Sequence, residues 1–132
     1  MSYTMELLQA GGFEIKYHGK VAGDIRAVNS ADQSAWPEMR VILDRVQSGT
    51  CRPDDWTAPL AKNYQDIGEI KKRRGRRLYR LYVHASRQTP NRLVVLHFGW
   101  KPPGNQGLDI QNQHIDEACA RLLELFGPPK QQ

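Results

Sequence analysis

The spacing of hydrophobic and polar positions changes along the chain, and each change of period marks an element. From Phe13 to Tyr17, apolar Phe13, Ile15 and Tyr17 alternate with Glu14 and Lys16, the repeat of two expected of a half-buried strand. His18-Gly19-Lys20 follows as a turn, and Val21 to Val28 reads either as the second arm of a hairpin or as an irregular link. Trp36, Met39, Ile42, Leu43 and Val46 then recur at steps of three and four, which predicts an amphipathic helix. Ser34 is its N-cap, Pro37 falls in the first turn where a missing N–H costs nothing, and Gly49 supplies the stop. Thr50 to Asn63 holds two prolines and the pair Asp54-Asp55, so it predicts a loop whose Trp56 and Leu60 are available to plug the core.

Three strands are predicted between Ile67 and Lys101. In the third, Leu93-Val94-Val95-Leu96-His97-Phe98 is apolar on both parities, the pattern of a strand covered on both sides. Pro102-Pro103-Gly104-Asn105-Gln106-Gly107 predicts a mobile loop, since it combines fixed φ, missing donors and flexible glycines. Ile115, Ala118, Leu122, Leu125 and Phe126 form a second helical stripe, closed by Gly127-Pro128-Pro129. The order is strand, helix, three strands, helix, and short connections between consecutive strands require antiparallel pairing. The expectation is one α+β domain over residues 1–132, with 1–12 and 128–132 flexible: a twisted antiparallel β-sheet with helices packed on one face and the other face left basic.

Charge sharpens that picture. Nineteen Lys and Arg against fourteen Asp and Glu give a net charge of +5, and seven cations with no acid lie between Lys71 and Arg80. Such a patch suits a polyanion, although Lys and Arg also guard exposed sheet edges against pairing. Cys51 and Cys119 belong to no metal-binding spacing. The longest aliphatic run, Leu93 to Leu96, is far short of the ~20 residues of a membrane span, and no secretory signal pattern opens the chain. The cytoplasm is the expected compartment.

Four segments, in order, resemble the RelE/ParE superfamily of bacterial toxins, and its HigB-type branch in particular. Leu60 with Ile67-Gly68-Glu69-Ile70-Lys71 is similar to the family's "L…L.EIK" strand, and Arg77-Leu78-Tyr79-Arg80-Leu81-Tyr82 to its "YR(V/L)xY" strand. Leu93 to Lys101 is similar to "IVLLHxFxKK", and Ile115-Asp116-Glu117-Ala118 with Arg121 to the closing "EIxxAxxR". The resemblance implies a RelE-like microbial ribonuclease fold and a ribosome-dependent mRNA endonuclease, the toxin of a type II pair. Its implied partners are the ribosome, mRNA and a cognate antitoxin, often a helix-turn-helix protein. No cofactor is implied, because the ribose 2′-OH attacks the adjacent phosphate and expels the 5′-oxygen without a metal. That chemistry needs a base, an acid and cations that hold the charge of the phosphorane.

Carried over by position, Lys71 matches a lysine of the EIK strand and Arg80 the arginine of the YR strand that contacts the scissile phosphate; Lys101 is a second clamp. Arginine suits the role because its planar fork gives two hydrogen bonds to one phosphate. Glu69 stands where relatives carry lysine or histidine, and Pro102-Pro103 follow Lys101 in place of a further lysine. Proton transfer is open among His114, expected near solvent at the start of a helix, His97, inside the apolar strand, and Glu69, which is equally able to pair with Arg80. Arg73, Arg74, Arg76 and Arg77 are candidates to grip RNA phosphates. Tyr79 and Tyr82 could stack on bases, but alternation puts at least one in the core. Two other functions are kept beside the nuclease: a ParE-like inhibitor of DNA gyrase, and a catalytically silent relative that binds nucleic acid or protein.

Overall fold

A computed structural model describes residues 12–50, 52, 56–57, 67–86, 89–102 and 104–127. The elements are β1 (Glu14–Tyr17), α1 (Val21–Ala31), α2 (Ala35–Ser48), β2 (Trp56–Thr57), β3 (Ile67–Arg74), β4 (Arg77–Ser86), β5 (Thr89–Lys101) and α3 (Asn105–Phe126). The architecture is the expected α+β, a sheet with helices packed against it. Its five strands lie in the order β1-β5-β4-β3-β2.

Strands β2 to β5 pair antiparallel, but β1 joins β5 in parallel, Glu14 opposite Arg92 and Tyr17 opposite Val95. The wholly antiparallel sheet expected from the sequence is thus corrected to a mixed one. Short loops force antiparallel pairing only between consecutive strands, whereas β1 reaches β5 across most of the chain.

The segment after β1 is also a correction, because it is neither hairpin arm nor link but helix α1. Val21, Ile25 and Val28 lie four and three apart on its inner face, Val21 and Val28 buried and Ile25 partly so. In α2 the expected boundaries hold: Ser34 is the N-cap residue and Gly49 closes the helix at φ 80°, a left-handed value that glycine adopts without a Cβ clash. The Ser34 hydroxyl makes no cap hydrogen bond, and Asp32 Oδ1 accepts the N–H of Ser34 itself at 3.0 Å. Trp56, expected in a loop, lies in the two-residue edge strand β2; Leu60 and Cys51 lie outside the described residues.

The two faces of the sheet bury separate cores. On the first, Ile70, Tyr79, Leu81, Val83, Leu93, Val95 and Phe98 pack against Val21 and Val28 of α1 and Met39, Ile42, Leu43 and Val46 of α2. On the second, Ile67, Tyr82, Val94 and Leu96 pack against Ile115 and Ala118 of α3. The expectation of helices on one face and a bare basic face is corrected accordingly: α3 covers part of the second face. Leu93, Val94, Val95 and Leu96 are all at most 4% exposed, as a strand covered on both sides should be.

A bulge interrupts the pairing of β4 with β5. Tyr82 faces His97 and Val83 faces Val95, which leaves Leu96 as the extra residue. Leu96 and His97 therefore both turn towards α3, and Phe98 returns to the first face. Helix α3 itself starts at Asn105, inside the stretch expected to be loop. Gly107 is what permits this, since a Cβ there would collide with the carbonyl oxygen of Pro102. Gly107→Ala is expected to lower stability by about 2 kcal/mol, from overpacking against backbone that has no rotamer to yield; urea unfolding of the two chains measures it.

Candidate functional site

Opposed residues of an antiparallel pair share a face, so the register places the predicted site residues directly. Glu69 faces Tyr82, Lys71 faces Arg80 and Arg73 faces Leu78 across β3 and β4; Arg80 faces Gly99, Tyr82 faces His97 and Leu78 faces Lys101 across β4 and β5. All six residues singled out for catalysis, Glu69, Lys71, Arg80, His97, Lys101 and His114, come together on the second face of the sheet or on the helix above it. The four arginines considered for RNA binding separate instead. Arg73 is exposed on the second face and Arg76 is exposed in the turn. Arg74 turns to the first face and pairs with Asp32 and Glu38. Arg77 lies over the Trp100 ring, 4.5 Å from its centroid, a cation–π contact that ties it to the fold.

The face has a sheltered half and an open half. In the sheltered half, Arg80 Nη1 donates to Glu69 Oε1 in an ion pair whose members are 8% and 2% exposed. Arg80 Nε, Glu69 Oε2 and the Tyr82 hydroxyl are buried without a hydrogen-bond partner. Tyr82 is itself fully buried, as is Tyr79, so neither is a base-stacking platform. Burial, and next the Glu69 charge, push the Tyr82 hydroxyl well above the ordinary tyrosine range.

His114 belongs to the same cluster. Its ring rests on Gly99, where a Cβ would stand 2.6 Å from Cε1, and its centroid is 4.7 Å from that of His97. The expectation of a solvated histidine is corrected here: burial, followed by the neighbouring His97, depresses the His114 pKa from 6.5 to about 4, so it is neutral at pH 7. In the open half, Lys71 and Lys101 are half-buried. Lys101 Nζ donates to Gln111 of α3 at 2.7 Å, and burial, then the charge of Arg80, lowers its pKa.

Two residues that the sequence reading did not single out for the site complete it. Asp24 of α1 accepts two hydrogen bonds from Arg121 of α3, at 2.6 and 3.1 Å, and the Phe98 N–H at 3.2 Å. Its Oδ2 is also 3.2 Å from His97 Nδ1, a contact close in distance but out of line for a good hydrogen bond. Arg121 further donates to the Leu96 carbonyl at 2.8 Å and to Glu117 at 2.9 Å. Burial alone would raise the Asp24 pKa; the His97 and Arg121 contacts overcome it and hold the carboxyl at about 2. No local pattern around Asp24 signals this role.

Among the described residues, no three or more His, Cys, Asp and Glu side chains gather in metal-binding geometry, and no helix is long and apolar enough to cross a membrane. No family model, no curated protein and no solved structure matches the chain.

The buried pair makes a stability prediction. Glu69→Leu alone strands the Arg80 charge and is expected to cost about 3–5 kcal/mol, while Glu69→Leu with Arg80→Met recovers most of the loss; a double-mutant cycle in denaturant tests it. His114 makes another. Its folded pKa of about 4 lies below the unfolded 6.5, so the unfolded chain binds more protons between those values, and stability falls as pH drops through that window. Thermal melts from pH 7 to 4 are expected to show this decline, and His114→Gln to flatten it.

Proposed function

We propose that this chain is the toxin of a type II toxin-antitoxin pair, an endonuclease that cuts ribosome-bound mRNA through attack of the 2′-OH on the adjacent phosphate. The observation that carries the reading is the shared face: Lys71, Arg73, Arg80 and Lys101 lie at neighbouring register positions, next to Glu69, His97 and His114. Cations that hold a phosphate stand beside groups that move protons, which is the composition the reaction requires. The motif resemblance to the RelE/ParE superfamily supplies the substrate, the ribosome and the antitoxin partner. Lys71, Arg73 and Lys101 bind the RNA backbone in the open half, and Arg80 approaches the scissile phosphate from beneath.

One observation favours a second reading. Glu69 neutralises Arg80 inside the sheet, which suits a catalytically silent relative that holds RNA through the outer cations alone.

Mapping of mRNA 5′-ends after brief induction in bacteria separates the two. Under the nuclease reading, new ends appear within translated codons and fall at least tenfold with Lys71→Ala/Lys101→Ala, a pair of partly exposed positions whose truncation spares both cores. Growth arrest without new ends would remove the nuclease reading, and salt-sensitive RNA binding without cleavage would establish the silent one.

A further inference from the structure

The nuclease reading leaves the proton-accepting group open among Glu69, His114 and His97, and the side-chain geometry narrows the choice. Glu69 is engaged with Arg80. His114 is held over Gly99 with its basicity reduced by burial. His97 is different, because a carboxylate stands 3.2 Å from its Nδ1. We infer that Asp24 is a positioning residue for His97, fixing the imidazole with its proton on Nδ1 and so presenting Nε2 as the basic nitrogen of the site. This rests on the nuclease reading above.

The electrostatic reason is simple. An ionised carboxylate attracts an N–H and repels a lone pair, so Asp24 Oδ2 selects the tautomer that carries hydrogen on Nδ1 even without ideal alignment. Asp24 can impose this preference only if it stays charged and still. Both conditions are met: Arg121 grips both of its oxygens and the Phe98 N–H adds a third donor. The charged and titratable groups around the ring are Asp24 from α1, Arg121 and His114 from α3, Tyr82 and Arg80 from β4, and Glu69 from β3, which faces Tyr82. The two carboxylates among them are each matched by an arginine, so Asp24 orients the ring without leaving an unbalanced charge beside it.

In the reaction, His97 Nε2 takes the proton of the 2′-OH as the O2′–P bond forms. The P–O5′ bond breaks, the 5′-oxygen leaves with a proton from water, and the imidazolium returns its proton to the hydroxide so formed. The products are a 2′,3′-cyclic phosphate and a 5′-OH. Both ring nitrogens of His97 are shielded from solvent, so the site opens before RNA reaches Nε2.

The test joins spectroscopy with kinetics. Two-bond 1H–15N correlation spectra of protein labelled at histidine report the tautomer of each neutral ring, with His97→Gln assigning its signal. The expected result is the Nδ1–H form for His97. Cleavage of short messages on purified ribosomes by Asp24→Asn is expected to lose roughly 100-fold in kcat with KM little changed, and Asp24→Glu to recover part of the loss. An Nε2–H tautomer in the natural chain, or undiminished kcat in Asp24→Asn, overturns the inference while leaving the nuclease reading in place. Absence of cleavage by the natural chain overturns both. If Asp24→Asn fails to fold, as a melt would show, the tautomer of the natural chain still decides.

Discussion

The ion pair between Asp24 and Arg121 joins two helices, α1 and α3, that pack on opposite faces of the sheet. Strand β1 ends at Tyr17 while β5 continues to Lys101, so β5 has an edge just where the bulge disturbs its pairing. Backbone groups left open at such an edge are costly when buried. Arg121 takes the Leu96 carbonyl and Asp24 takes the Phe98 N–H, and the two side chains satisfy each other. A buried ion pair is tolerable when hydrogen bonds engage its remaining donors and acceptors, and this one is engaged on both sides. Because one member comes from α1 and the other from α3, the same contact that seals the edge also sets where α3 crosses the second face.

That crossing divides the face. Under α3 the polar groups are buried, paired or orphaned, as the Glu69–Arg80 pair and the Tyr82 hydroxyl illustrate. Beyond the first turns of α3 the strands carry Lys71, Arg73 and Lys101 towards solvent. The step between the two environments is short, passing from Lys71 to Arg80 across a single strand pair. A low-dielectric interior next to an electropositive opening is the setting in which charge developing on a bound group is best stabilised.

Much of this is legible in the sequence. The stripe from Trp36 to Val46 fixed the length of α2, and the run from Leu93 to Leu96 announced a strand buried on both sides. The pairing of Glu69 with Arg80 is legible because a charge in an interior strand needs a partner and Glu69 is the acid on the strand before it. Helix α1 is not legible although Val21, Ile25 and Val28 carry its period, since a stripe of three residues with Gly23 inside it is a weak signal. The site was only half legible for a sharper reason. Strict alternation would set His97 on the same face as Leu93 and Val95, under α1 and α2, and a single extra residue at Leu96 reverses that. No periodicity argument anticipates a bulge, and with it the placing of His97 beside Tyr82 and His114 is out of reach.

The basic run also means something different in the fold than in the sequence. Of the seven cations from Lys71 to Arg80, strand alternation turns Lys72, Arg74 and Arg77 to the first face, where Arg74 and Arg77 act as internal counterions and ring partners. Arg80 is paired with Glu69 beneath the surface of the second face. Of that run, Lys71, Arg73 and Arg76, with Lys101 from the next strand, are left to shape the field of the outer face. A polyanion docked there would displace about three or four condensed counterions, and the ionic-strength dependence of its binding would be that of a small contact patch and not of a heavily basic protein.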